Sequence, residues 1–236
     1  VLTSPLAVLL TVLALVLGLA GCGGAPSGPP PEPLPPGPEL LARSADVMAT
    51  LKTVALDVQV DPALAGLPIR SANGKLTATG EATGSAVIAM GGPATEFQFV
   101  VTRGTLYLKG ATGGYQRFPL EVVAGIYDPT ALLRPDTGVA ALLRTATQGI
   151  TETIEDVNGV PAYRVWANLD PQVAGKVVPG ITGVVGGQVW LDKATSRLLR
   201  ARVNLPTGGP DNPTAPVTIN LSDFDAPVTV KPPASS

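Results

Sequence analysis

Histidine is absent from all 236 residues. That excludes Ser-His-Asp and Cys-His nucleophilic triads, histidine-ligated zinc and imidazole acid–base chemistry. A single cysteine excludes an intrachain disulfide and a zinc site of several thiolates. Aromatics make up 4% of the chain and charged residues 14%, the latter well below the roughly 25% of an average soluble domain. Hydrophobic residues still reach 45%, so the apolar mass is Ala, Val and Leu. A net charge of −2 offers no basic excess for a nucleic-acid backbone. There is also no G-x-S-x-G elbow, which with the missing histidine counts against a hydrolase.

What is present begins with an apolar run. Leu6 to Ala20 carry no charge. Fifteen residues are short of the roughly 20 that a spanning helix needs and match a signal-peptide core. The run ends in Leu19-Ala20-Gly21-Cys22, which resembles the lipobox of bacterial lipoproteins. In that motif the cysteine sulfur forms a thioether to a diacylglyceryl group, and small preceding residues let the processing enzymes reach the backbone. No Lys or Arg precedes the run, a departure from the usual basic start. The expectation is a signal peptide over residues 1–21 and lipid attachment at Cys22. The chain would then sit on the outer, periplasm-facing side of the cell membrane, held by more than one acyl chain.

Eight of the sixteen residues from Gly23 to Pro38 are proline. Such a tract buries no core and favours polyproline II, spanning up to ~50 Å at about 3.1 Å per residue. Residues 22–38 therefore read as the lipidated cysteine and a linker, and residues 39–236 as one folded domain.

A helix opens at Pro38-Glu39, with Leu40, Leu41, Val47, Met48 and Leu51 at helical spacing. Strand signals follow over Val54–Val60, Ile69–Thr79, Ser85–Met90, Glu96–Thr102 and Thr105–Lys109. A helical region covers Leu120–Ile126 and Val139–Ala146, with Asp136 or Thr137 as the expected cap of the second piece. Strands resume at Ile150–Asp156 and Ala162–Asn168 around Val157-Asn158-Gly159. Asp170-Pro171 starts a short helix. Gly187–Leu191 and Leu198–Leu205 form a hairpin, and Pro216–Leu221 and Val228–Val230 close the chain. Runs of adjacent strands broken by helices predict an α+β fold with a large antiparallel sheet.

Candidate chemistry is thin. Asp136-Thr137-Gly138 matches an aspartic-protease triplet, but that reaction needs two carboxylates sharing a proton and no second triplet exists. Gly110–Gly114 and Gly180–Gly187 are glycine-rich without a phosphate-loop lysine or dinucleotide spacing, and read as loops. Glu152, Glu155 and Asp156 read as a solvated row, with Glu152 and Asp156 on one strand face. Asn220-Leu221-Ser222 fits a glycosylation pattern that most bacterial envelopes leave unused. No cofactor or metal is implied.

The apolar inventory is more informative. Ala86, Ile88 and Met90 share one strand face, and Phe97, Phe99 and Val101 share another. The helical region adds Ile126, Leu132, Leu133, Val139, Leu142 and Leu143. These residues form either a filled Ala/Val/Leu core or the lining of a cavity for an apolar ligand. Both need the same inward faces, so periodicity leaves both open.

Several segments in order resemble the LppX/LprAFG family of mycobacterial lipoproteins. They are Thr83-Gly84, Phe99-Val100-Val101 before Gly104-Thr105-Leu106-Tyr107, Gly125-Ile126-Tyr127-Asp128-Pro129 and Leu133-Arg134-Pro135-Asp136-Thr137-Gly138-Val139-Ala140-Ala141-Leu142-Leu143. Val157-Asn158-Gly159, Gln188-Val189-Trp190-Leu191, Leu221-Ser222-Asp223-Phe224 and Pro227-Val228 with Lys231-Pro232-Pro233 complete the series. Phe224 stands where the family usually has Trp. The resemblance implies a half-barrel, a large curved antiparallel sheet with helices on its concave face, similar to outer-membrane lipoprotein carriers. It implies a hydrophobic cavity, to whose lining Val189 and Leu191 would also contribute. The implied ligands are acylated envelope lipids: a triacylated glycolipid, a phosphatidylinositol mannoside or triacylglycerol. The implied role is carriage or presentation between membrane and outer envelope, with a membrane lipid exporter as a partner, and not catalysis. The rival reading is a structural or adhesive envelope lipoprotein with a filled core.

Overall fold

The computed structural model describes residues 33–89, 92–121, 129–177, 181, 183–208, 211 and 213–233. The apolar leader, Cys22, Met90 and Ile126 lie outside them, as does most of the helix expected over Leu120–Ile126. Among the described residues no helix is long and apolar enough to cross a membrane.

Helix α1 (Gly37–Met48) starts one residue before the expected Pro38, with Pro36 preceding it and Glu39 in its first turn. Its buried stripe is Gly37, Leu40, Leu41, Ser44, Ala45 and Met48. That spacing lays one face on the core.

Six strands follow as an antiparallel meander: β1 (Thr53–Val60), β2 (Ile69–Thr77), β3 (Ala82–Ile88), β4 (Thr95–Thr102), β5 (Thr105–Lys109) and β6 (Gln116–Pro119). A 3-10 turn (Pro129–Leu133) and helix α2 (Val139–Thr145) come next. A second meander holds β7 (Thr147–Val157), β8 (Val160–Leu169), β9 (Val185–Asp192), β10 (Leu198–Pro206) and β11 (Thr214–Ser222), with helix α3 (Pro171–Val177) between β8 and β9. β11 pairs with β1, so the sheet runs β6-β5-β4-β3-β2-β1-β11-β10-β9-β8-β7. The fold is α+β: one large, open, curved antiparallel sheet with helices against its concave face.

Local chemistry explains the hairpins. Asn158 and Gly159 have φ of 54° and 84°, and Arg103 and Gly104 have 51° and 70°. Two successive positive φ values make the turn whose twist matches paired strands. The β9–β10 turn is held by Asp192. Its carboxylate accepts the amides of Ala194 (2.7 Å) and Thr195 (3.2 Å) and the Thr195 hydroxyl (2.7 Å).

Four expectations change. Strand β6 replaces what the sequence leaves as connection, because a four-residue edge strand ending in proline carries too short a pattern to read. Val228–Val230 is not a strand. Prolines at 227, 232 and 233 remove ladder donors around it. Neither Asp136 nor Thr137 caps α2: Gly138 holds the N-cap position with no side-chain cap bond. A glycine is needed there because an added Cβ would lie 2.6 Å from the Ala131 carbonyl oxygen.

The fourth concerns the acidic row. β7 carries register shifts between Thr147 and Ile150 and between Thr151 and Thr153. A bulge moves later residues to the other face. Glu152 and Glu155 therefore share the convex face, rather than Glu152 and Asp156. Arg164 of β8 bridges them, with Nε 2.8 Å from Glu152 and Nη1 2.8 Å from Glu155.

Burial opposes the charge on Asp192, but the bonds from Thr195 and Ala194 and the nearby Arg197 outweigh it, so its pKa lies below the ordinary carboxylate value. A depressed folded-state pKa stabilises the protein above the unfolded pKa, and that gain is lost as pH falls through the folded value. Asp192→Ala is expected to cost about 1 kcal/mol at neutral pH, read by urea unfolding. The difference from wild type should shrink at acid pH below the carboxylate range.

Candidate functional site: the concave face

The two faces of the sheet differ chemically, as expected where one face meets a core and the other water. On the convex face a polar ladder crosses six strands. Gln188 Nε2 donates to Glu152 (3.0 Å), and Trp190 Nε1 donates to Glu155. The Arg200 guanidinium lies 5.6 Å from the Trp190 ring and its Nε donates to Asn220 (2.7 Å). Asn220 donates in turn to Asp57 (3.3 Å). Among the described residues no group of three His, Cys, Asp or Glu side chains is placed to hold a metal.

The concave face is apolar along most of its width. Pairing registers define its rows. Val54 and Leu56 of β1 face Leu76 and Gly74 of β2, and these face Ala82 and Gly84 of β3. Val101 and Phe99 of β4 continue the rows, followed by Leu106 and Leu108 of β5. Val58, Ala72, Ala86 and Phe97 form the next row. In the other half, Val165, Ala167 and Leu169 of β8 face Val189, Gly187 and Val185 of β9. Ala201 and Val203 of β10 and Ile219 and Val217 of β11 follow.

The halves are covered differently. Over β8–β11, α2 and α3 lie on the sheet and leave an apolar seam lined by Leu41, Leu132, Val139, Leu142, Leu143, Ala146, Ala167, Leu169, Ala174, Val177, Ile181, Val189, Ala201, Val203 and Ile219. Its open space is about 60 Å³. Ligand sites usually hold about 300–1,000 Å³, so the seam here is nearly closed. Four alanines keep the strip of space open by what they lack. Over β1–β5 the apolar rows are only half-covered: Leu56, Ala72, Ala86, Ile88, Phe97, Phe99, Leu106 and Leu108 are all partly accessible.

The candidate residues fall into three groups. Leu132, Val139, Leu142, Leu143 and Val189 meet in the seam. Leu133, Leu191 and Val101 are buried in the same core cluster but do not line the seam. Ala86, Ile88, Phe97 and Phe99 lie on the concave face of the other half. Sequence reading missed Leu41 and the alanines at 146, 167, 174 and 201. An alanine carries no signal of its own; only its neighbours across the interface make it a lining residue.

The architecture is thus a broad antiparallel sheet with one apolar concave face under short helices. The LppX_LprAFG lipoprotein family matches residues 37–230, and the chain belongs to that family. It is 35% identical over 235 residues to the lipoarabinomannan carrier protein LprG of Mycolicibacterium smegmatis, covering 97% of this chain and 94% of that one. It is 30% identical to the lipoarabinomannan carrier protein LprG of Mycobacterium tuberculosis, covering 98% and 96%. The crystal structure of LprF from Mycobacterium bovis superposes with a TM-score of 0.74 and 25% identity, over 84% of this chain and 97% of that one. LppX of M. tuberculosis has the same fold, with a TM-score of 0.57 at 19% identity.

Filling the seam is a direct test of its geometry. Ala201→Val adds two methyl groups on a strand suited to β-branched residues. Filling some 60 Å³ of apolar space is worth about 1 kcal/mol. The lipid-free variant should melt about 2–4 °C higher than wild type, and a fall in Tm would mean the strip is already filled.

Proposed function

We propose that this chain is an envelope lipoprotein that binds acylated lipids or glycolipids against its concave face and carries or presents them between membrane and outer envelope. The observation that carries this reading is the continuous apolar face, half closed under two seven-residue helices and half accessible. Isolated helices of that length are unstable in water, so α2 and α3 owe their order to the sheet beneath them. Displacing them by acyl chains exchanges one apolar contact for another. A water-facing ligand would gain nothing from such a surface. The similarity to carriers named for a lipid-linked polysaccharide supports the same reading. The candidate cargo is a triacylated glycolipid, a phosphatidylinositol mannoside or triacylglycerol, and a membrane exporter is the candidate partner.

Each buried CH₂ contributes about 0.8 kcal/mol. A bilayer already supplies that energy, so the protein's face must nearly match it and let the lipid leave again. A groove that closes on its own side chains does this, because the empty form exposes little apolar surface.

The narrowness of the seam favours a filled core, and that rival is tested directly. Organic extracts of the purified domain, produced in a mycobacterial host, should contain di- or triacylated lipid by mass spectrometry. Ala86→Trp, which projects an indole from the accessible half of the face, should remain folded and retain several-fold less lipid. A folded wild-type domain that yields no lipid overturns the carrier reading.

Anchoring rests on Cys22 after Leu19-Ala20-Gly21 and on the proline tract behind it. A Cys22→Ala protein is expected to move from the detergent phase to the aqueous phase on Triton X-114 partition. Unchanged partition would remove the anchor from the proposal.

A further inference from the structure

Five large hydrophobic side chains are exposed among the described residues, and four of them belong to the β7 edge: Leu34, Ile150, Ile154 and Val160, the two isoleucines being 57% and 42% accessible. Ile150 and Ile154 lie on β7, and Val160 opens β8 opposite Val157. Two of the chain's scarce aromatics join them. Ile150 pairs with Trp166 and Ile154 with Tyr163, and both rings are half-buried. Trp166 stands opposite Gln188 on the convex side and Tyr163 opposite Leu191 on the concave side, so apolar groups flank the edge on both faces. Gly186 leaves room for the indole, since a Cβ there would lie 3.2 Å from Trp166 Cζ2. The other tryptophan, Trp190, is buried.

The same edge holds the point where the proline tract enters the domain. The Thr151 hydroxyl donates to the Pro35 carbonyl (2.6 Å). Just beyond, two glycines bring backbone against backbone. A Cβ on Gly37 would lie 2.6 Å from the Gly149 carbonyl oxygen, and one on Gly149 would lie 3.0 Å from Pro38 N. The root of the tract is thereby clamped to β7. The twelve residues from Gly23 to Leu34 span at most ~37 Å at about 3.1 Å per residue in the polyproline II form. That is less than the roughly 48 Å width of eleven strands. An anchor at Cys22 so holds the β7 edge at a higher effective concentration on the bilayer than more distant parts of the domain.

A second strand is a poor occupant for this edge. Two register shifts and a positive φ at Gln148 (56°) break the regular ladder that an added strand would copy. A bilayer surface needs no ladder. Isoleucine, leucine and valine side chains enter the acyl boundary, while tryptophan and tyrosine favour the headgroup level, apolar body inward and polar tip wet. Glu152 and Glu155 share Arg164, and Asp156 is exposed near the hairpin, so the edge is weakly acidic and its attraction to a bilayer is apolar rather than coulombic. We propose that the β7 edge is the domain's membrane-contacting surface: Leu34, Ile150, Ile154 and Val160, flanked by Trp166 and Tyr163, rest in the interface of the leaflet to which the proline tract leads. The contact sets the β8–β11 half beside the bilayer and the β6 edge away from it. The proposal rests on the Cys22 anchor and not on the identity of any cargo.

The test uses the full lipidated chain in phosphatidylcholine vesicles, with or without bromine on the acyl chains, which quenches nearby tryptophan. Bromine should lower wild-type emission toward half, since one of the two tryptophans faces the bilayer. Trp166→Phe, which keeps the buried Trp190, should lose most of that effect. Ile150→Thr with Ile154→Thr retains β-branched residues on the strand; this variant should still float with the vesicles, with quenching reduced several-fold. Leu34→Ser with Val160→Thr stands in if the first pair misfolds. Wild-type emission unaffected by bromine, or full quenching in the apolar variants, would overturn the proposal. So would equal quenching in Cys22→Ala protein after the vesicles are floated away, which traces the signal to carried lipid. A Cys22→Ala dimer that is lost with Ile150→Thr and Ile154→Thr would give the edge to a second copy and overturn it too. If wild type does not float with the vesicles, the anchor fails and the edge contact fails with it.

Discussion

Strands β6 and β7 come from neighbouring parts of the chain yet form opposite edges of an eleven-stranded sheet. With strands about 4.8 Å apart, those edges are separated by roughly 48 Å measured along the sheet. The sheet is curved, so the connection takes a shorter path over its concave face. The described part of that crossing holds a five-residue 3-10 turn and a seven-residue helix. This crossing fixes which face is covered. It brings Leu132, Val139, Leu142 and Leu143 down onto the sheet and makes the concave side the apolar one.

The convex side shows the complementary solution. Its ladder from Glu152 through Arg164, Trp190, Arg200 and Asn220 to Asp57 links the second meander to the first across the β1–β11 pair. Individual exposed pairs of this kind are worth little, with a median of about 0–1 kcal/mol. Their value here is registration. A slip of one residue would turn every polar member toward the apolar face. The core thus leans on the polar face for alignment, while the concave face is apolar along most of its width. Such a face can admit acyl chains while stranding few hydrogen-bonding groups, which is the physical basis of the carrier role proposed above.

The strands and their faces were largely legible. Ala86 and Ile88 share the concave face with Phe97, Phe99 and Val101, in the register that alternation predicts. Asn158-Gly159 and Arg103-Gly104 turn where two residues of positive φ are tolerated. What failed were features that one strand cannot report by itself. The bulges in β7 depend on β8, and they moved Asp156 off the face that Glu152 shares with Glu155. Gly138 reads as part of an Asp-Thr-Gly triplet, but its place is set by the carbonyls of Ala131 and Leu132 crowding its α-carbon.

The division at the site follows the same line. Composition and period determined that this chain lacks imidazole chemistry and an intrachain disulfide, that its apolar mass is aliphatic and small, and that its strands have one face to bury. These are local properties, carried by residue type and by spacings of two or four. Where the space lies was decided by tertiary structure. Ala146, Ala167, Ala174 and Ala201 come from two helices or their flanks and two strands, and they meet only because the β6–β7 crossing lays α2, and the β8–β9 connection lays α3, on the sheet. A void is made by side chains distant in sequence that fail to fill the volume between them, and no single segment encodes that absence.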